Sequence, residues 1–269
     1  MTRYDIDSLD NRDAQYVATM VKTLGAFARR YFRGEVRGLE RVPEGAALFV
    51  GNHNAGLLLP EALLLGAALY HKLGLAAVPY GLAHEVAISV PGLHELVVPM
   101  GAVRASHENA MGLFARGAKV LVYPGGDIEA MRAWRDRDRI LFGGRRGYIR
   151  LALKAGVPIV PVVAAGAHET FLILDDGRWL AKLLGAKRLL RVNVWPITLS
   201  FPWGITVGPG LLYWPWPTKI LVETLPPIHF DRTGDEAAAD EAYVRACSDQ
   251  VEALMQAALT RLAKERAAA

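Results

Sequence analysis

Between Val36 and Val163 short apolar runs alternate with segments of helical period, which predicts an α/β fold. Ala46–Gly51 (AALFVG) is apolar throughout, the mark of a strand covered on both faces. Together these observations predict a mostly parallel central sheet flanked by helices. A third feature precedes them: residues 1–33 read as an N-terminal amphipathic helical arm, leaving 34–269 as the α/β domain.

The elements follow in order. The first 13 residues read as a loose polar arm. From Asp13 to Arg33, Val17, Met20, Val21, Leu24, Phe27 and Tyr31 recur at helical spacing, and Gly34 ends the run. Lys22, Arg29, Arg30 and Arg33 lie on or beside the opposite face. Such a helix either lies in a bilayer interface or docks on the main domain. After the Ala46–Gly51 strand, Glu61–Leu73 reads as a helix with Pro60 at its start. Ala77–Tyr80 and Val97–Val103 read as strands, Glu108–Arg116 as a helix and Lys119–Tyr123 as a strand. Gly144–Ala155 then reads as a helix closed by Gly156, and Pro158–Val163 as a strand. Residues 195–217 hold Trp195, Trp203, Trp214 and Trp216 among prolines and glycines. That composition suits either the membrane–water interface or a loop packing its aromatics on the core. Lys219–Glu223 reads as a last strand and Glu236–Lys264 as a helix with a break near Ser248.

At 269 residues the chain can bury a large core, and at 52% hydrophobic with mean hydropathy +0.18 it has apolar residues to spare. No run is long enough to span a bilayer, because Pro60, Glu61, His71 and Lys72 interrupt the most apolar one. The acidic, polar start lacks the pattern of a signal peptide. A single cysteine, Cys247, excludes an internal disulfide framework and fits a reducing compartment. Net charge +4 invites anionic partners. No zinc-finger spacing or aromatic–basic pattern points to nucleic acid, and no His, Cys, Asp and Glu set has metal spacing. The apolar surplus favours an anionic lipid surface.

In open α/β sheets, sites form beyond the carboxyl ends of the strands. His53, Arg104, the Pro124–Asp127 turn and the Gly166–Glu169 loop each follow a strand end and are expected to converge. His53, within Gly51-Asn52-His53-Asn54-Ala55-Gly56, has small neighbours that leave room for a substrate. Histidine titrates nearest neutral pH and suits a general base for acyl transfer to a hydroxyl. A carboxylate on its far nitrogen would orient it, and Glu61 is the nearest in sequence.

Four blocks in this order resemble the glycerolipid acyltransferase superfamily, which includes the lysophosphatidic-acid acyltransferases. Asn52-His53 matches the family's His-x4-Asp block, and Met100-Gly101-Ala102-Val103-Arg104 its Gly-and-Arg block. Val122-Tyr123-Pro124-Gly125-Gly126 stands where the family has Phe-Pro-Glu-Gly, and Val157-Pro158-Ile159-Val160-Pro161-Val162 matches its Val-Pro-Ile-Val-Pro-Val strand. The family's Asp falls at Leu58, so the orienting role passes to Glu61. Its third-block Glu falls at Gly125. The run from Pro124 to Thr170 is closer to the diacylglycerol acyltransferase type-two branch, with its Gly-Gly-x-x-Glu-Ala turn.

The resemblance implies direct transfer from acyl-CoA or an acyl-carrier protein to a hydroxyl of a lysophospholipid or other glycerolipid, with no further cofactor and no acyl-enzyme. His53 and Glu61 would be catalytic. Arg104 would hold an anionic headgroup or the donor's phosphates, and the Gly125 and Gly126 amides a phosphate or the developing oxyanion. Asn52 and Glu129 would line the substrate site, with Arg132 near the same turn. The expected setting is peripheral, on the cytoplasmic face of an anionic membrane. A lipid hydrolase or thioesterase, with His53 activating water, and a non-catalytic lipid-binding scaffold remain open.

Overall fold

The computed structural model describes residues 4–54, 56, 58–186, 188, 192–208 and 213–268. Its main sheet contains β1 (Glu35–Arg37), β2 (Ala47–Gly51), β3 (Tyr80–Ala83), β4 (Ala102–Arg104), β5 (Lys119–Val122), β6 (Ile159–Ala165) and β10 (Leu221–Thr224). A smaller sheet contains β7 (Leu172–Asp175), β8 (Ile197–Ser200) and β9 (Gly204–Val207). The order in the main sheet is β1-β10-β6-β2-β5-β3-β4. The five strands from β6 to β4 run parallel, β10 runs antiparallel to β6, and β1 parallels β10.

Strand alternation explains the two-sided core. Along β2, Leu48 and Val50 face one layer while Ala47 and Phe49 face the other. The helices are α1 (Ala14–Met20), α2 (Ala26–Tyr31), α3 (Pro60–Leu73), α4 (Glu85–Ile88), α5 (Leu93–Val97), α6 (His107–Ala115), α7 (Gly126–Ala130), α8 (Gly147–Ala155), α9 (Arg178–Leu183), α10 (Asp235–Ala239) and α11 (Glu241–Ala267). The first layer is covered by α6, α8 and α11, with Cys247 buried in it, and the second by α2 and α3.

The chain departs from the sequence expectation in five places. The start is pinned, not loose. Arg104 N donates to Ile6 O, Asp13 N to Pro99 O, and Asp7 and Asp10 pair with Arg104 and Arg116. The strand expected at Val97–Val103 is mostly a helix and turn, and only Ala102–Arg104 is extended. The strand expected at Ala77–Tyr80 begins at Tyr80, after a 3-10 turn at Leu75–Ala77. The last helix runs unbroken through Ser248, whose hydroxyl bonds Glu252; the break falls at Asp240, which caps α11. The aromatic run 195–217 contains the β8–β9 hairpin, with 209–212 outside the described residues.

The arm helix docks on the domain. A π-helical turn, Val21–Gly25, joins α1 to α2, and Val17 and Val21 pack with Ala67 of α3. Gly25 permits this approach, since a Cβ there would stand 2.7 Å from the Ala67 Cβ. Gly25→Val should therefore destabilise the protein by about 1–3 kcal/mol through overpacking, despite valine's better helix propensity. Urea unfolding would show this; an unchanged midpoint would mean that the arm detaches freely.

Candidate active site

Adjacency in the sheet decides which strand-end residues meet. β5 and β6 flank β2, so His53, the turn at Pro124–Asp127 and the loop at Gly166–Glu169 converge. Arg104 does not join them. It lies at the end of β4, three strand spacings from β2, or roughly 14 Å. Its Nε donates to Asp7 Oδ1 at 2.8 Å, Nη2 lies 2.6 Å from Asp7 Oδ2, and the Asp7 bond raises its pKa. The expected headgroup cation is instead the clasp for the N-terminal segment.

The loop carrying His53 is held from several sides. Asn52 is buried and exchanges two hydrogen bonds with Ala164 of β6: Nδ2 donates to O at 3.0 Å and Oδ1 accepts from N at 2.8 Å. Its amide extends the strand ladder by one step, so it is not available to line a substrate. Asn54 donates through Nδ2 to Asn52 O at 2.9 Å and to Glu61 Oε1 at 3.4 Å. Glu129 is fully buried: Oε2 accepts from His53 N at 2.8 Å and Oε1 from Leu141 N at 3.0 Å. It holds backbone and does not face a substrate.

Arg132 joins these pieces. It is among the largest fully buried side chains, and all five of its N–H donors are used. Nη1 donates to His53 O at 2.6 Å and Glu129 O at 2.8 Å. Nη2 donates to Asn54 Oδ1 and Arg137 O, both at 2.7 Å, and Nε to Asp136 O at 3.1 Å. His168 binds the Arg132 carbonyl through Nε2 at 2.9 Å, and burial holds its imidazole neutral, well below the usual range. Glu169 makes a bidentate pair with Arg266 of α11.

The glycine turn is closed as well. A Cβ on Gly125 would stand 2.4 Å from Glu129 Oε2 and 2.7 Å from Leu141 O. Gly126, at φ 49°, faces Arg145 Nη1 at 2.4 Å in the same sense, and its N–H is spent on Tyr123 O. Arg145 also donates to Gly125 O and Asp127. Burial tends to raise Asp127, but Arg145 and the Asn193 bonds outweigh it and hold the carboxyl below its usual range. A side chain at either position would thus meet the protein itself, and the Gly126 amide is engaged within the turn.

His53 is half-buried, with its ring 5.0 Å from that of Tyr123. Nδ1 is buried and without a hydrogen-bond partner among the described residues, as is Glu61 Oε2. No hydrogen bond joins the two side chains. Glu61 therefore does not orient His53 as the sequence suggested; it bonds Asn54, which in turn receives Arg132. Burial drives the His53 pKa down to about 4, the Asn54 backbone opposing this and the Arg132 charge adding to it. Burial raises Glu61 to about 8 and Glu129 to about 7, with Arg132 and N–H bonds opposing.

The comparisons with known proteins fall into place on this geometry. Residues 33–165 match the family model described as Acyltransferase. An uncharacterized protein of Mycobacterium tuberculosis is 31% identical over 96% of this chain and 70% of its own length. The mouse protein named DGAT1/2-independent enzyme synthesizing storage lipids is 28% identical over 54% of this chain and 44% of its own. The crystal structure of the 1-acyl-sn-glycerophosphate (LPA) acyltransferase PlsC from Thermotoga maritima superposes with a TM-score of 0.53, covering 93% of this chain and 84% of that one, at 19% identity. A mostly parallel central sheet flanked by helices is the fold that this chain shares with the Thermotoga protein. The chain belongs to the glycerolipid acyltransferase superfamily.

Two measurements follow. Arg132→Met would remove five hydrogen bonds and leave Glu129 without its counter-charge; the expected loss is about 3–5 kcal/mol in denaturant unfolding, with turnover falling alongside. Glu61 keeps its proton in the fold up to about pH 8 but releases it near 4.5 when unfolded, so its contribution to stability declines as pH rises between those values. Glu61→Gln should match wild type near pH 4 and exceed it by a few kcal/mol (order of magnitude) at pH 8. Parallel stability–pH curves would contradict this.

Proposed function

We propose that this chain transfers an acyl group from an acyl thioester, on CoA or an acyl-carrier protein, to a hydroxyl of a glycerolipid, with His53 as general base. One observation carries the reading. His53, unlike buried Glu61, is partly open to solvent, on a backbone clamped at its N–H by Glu129 and at its carbonyl by Arg132. The acceptor hydroxyl gives its proton to the imidazole while its oxygen bonds the thioester carbonyl carbon. The C–S bond then breaks, and the imidazolium returns the proton to the leaving thiolate. Burial keeps His53 in the neutral form that this step needs.

The arginines around the site bear on the acceptor. Arg104 is committed to Asp7, Arg132 to five internal acceptors and Arg145 to Asp127 and the glycine turn. This favours a neutral acceptor, a mono- or diacylglycerol, over a lysophosphatidate. A relative named for synthesizing storage lipids supports the same choice. Peripheral attachment to an anionic membrane surface, on its cytoplasmic face, completes the proposal. Among the described residues no helix is long and apolar enough to cross a bilayer.

A labelled acyl-CoA assay against lysophosphatidate, monoacylglycerol, diacylglycerol and water alone tests it. Transfer to the neutral glycerolipids should exceed transfer to lysophosphatidate, and release into water should be minor. Predominant release into water would make the protein a thioesterase. His53→Ala should lose about 10²–10⁴-fold with an unchanged circular dichroism spectrum. Since the base form is lost only as pH falls through about 4, the acid limb of kcat/KM should lie near that pH. A limb at the ordinary histidine value of about 6.5 would contradict the buried-imidazole account.

A further inference from the structure

The smaller sheet is built inside out. In β8, Thr198 and Ser200 are buried while Leu199 is exposed. In β9, Ile205 is 69% and Val207 59% exposed, and in β7 Leu174 is exposed over buried Ile173. The inward hydroxyls are satisfied, since Thr198 Oγ1 and Thr206 Oγ1 share a hydrogen bond at 2.7 Å. Leu199 and Ile205 are directly paired across β8 and β9, so the outward aliphatic residues form one face. An apolar outward face over a polar inward one serves an apolar partner.

The face continues into an aromatic border. Trp214 N donates to Phe201 O at the end of β8, and both side chains are exposed. Trp214 Nε1 donates to Tyr31 Oη at 2.9 Å, and Tyr31 stacks on exposed Phe27. The arm helix, whose apolar side is spent on α3, thus meets the face through its last turn, beside Arg29 and Arg30. On the other side α9 leaves β7 directly and exposes Trp179 at 60% and Leu183 at 76%, with Lys182 between them.

Charge identifies the occupant. Residues 177–222 contain six basic residues and no acidic one, and residues 14–34 four basic and no acidic one. Of the six, Lys187 and Arg191 lie outside the described residues and Arg178 and Lys219 pair with Asp176 and Glu35; Lys182, Arg29 and Arg30 are the cations beside the face. Two copies of such a surface would repel each other, which argues against a homodimer. Tryptophan rings within a basic, aliphatic surface match the headgroup region of an anionic bilayer. The face also adjoins the reaction centre. Tyr213, just before Trp214, stacks on Phe171 at 3.9 Å, and its hydroxyl reaches the Leu58 backbone in the loop that carries His53.

We infer that the outward face of β7-β8-β9, bordered by Phe201, Trp203, Trp214 and Trp216 and flanked by α9 and the end of α2, is the surface on which the protein docks to an anionic phospholipid bilayer. The arm helix supplies basic residues to the edge of this surface and is not itself the inserted element. This rests on the peripheral reading above and names its surface.

The experiment compares wild type with Leu199→Thr/Ile205→Thr/Val207→Thr, substitutions that keep strand propensity. Binding is read by sedimentation with phosphatidylglycerol/phosphatidylcholine vesicles and with phosphatidylcholine alone. Transfer to a monomeric short-chain acylglycerol is read separately. The variant should bind anionic vesicles at least about tenfold more weakly and keep its monomeric-substrate activity, and wild type should prefer the anionic vesicles. Brominated phosphatidylglycerol should quench wild-type tryptophan emission, which tests the surface even if the triple variant fails to fold. Equal vesicle binding by the two proteins, no binding by wild type, or a wild-type dimer that the substitutions dissociate would overturn the inference. Vesicle binding through this face without acyl transfer would leave it standing and sink the proposed activity instead.

Discussion

A single buried guanidinium holds the reaction centre together. Arg132 has no contact with water to repay its desolvation, so its charge is tolerable only because every donor has an oxygen and Glu129 lies beside it. Those oxygens belong to His53, Asn54, Glu129, Asp136 and Arg137, which come from two separate stretches of chain. The planar fork has no freedom to choose other partners, so the β2–α3 loop and the segment after α7 are fixed relative to one another. His53 inherits its position from this arrangement and not from a bond to its own ring.

The same arrangement accounts for the departure at the third block. Where the family carries a glutamate, this chain has Gly125, and the carboxylate of Glu129 stands against the space that a side chain at 125 would fill. A carboxyl group is still present at the turn, delivered one helical turn later. It grips the His53 amide from there. A glycine at 125 is then a steric requirement of the glutamate at 129.

Much of this was legible in the sequence where local pattern and burial agree. Continuous apolar runs marked β2, β5 and β6, and strand-end placement brought His53, the glycine turn and the 166–169 loop to one edge. What the pattern could not show was strand order. Arg104 also follows a strand, but β4 is the sheet's outer strand, and its aspartate partner lies 97 residues away in a segment that reads as loose. The bonds of Asn52, Glu61 and Glu129 were not legible for a related reason: polar residues beside a candidate base serve equally as its mount or as its partners, and only bond directions distinguish these. Arg132 had a faint signal, three residues after Glu129 at helical spacing. The β8–β9 hairpin was hidden because its apolar residues point outward, which inverts the usual alternation.

β6 and β10 are antiparallel neighbours, and two such strands can be joined by as few as two residues. Here the connection runs from residue 166 to residue 220 and contains an entire second sheet. The excursion is an overgrown hairpin turn, and loop-closure entropy rises only slowly with its length. Its lengthening or replacement would leave the strand pairing on either side intact. Evolution, or a protein engineer, could therefore vary the second sheet within this segment and refit the protein to a different boundary, provided that His168, Asn193 and Tyr213 keep their contacts with the reaction centre.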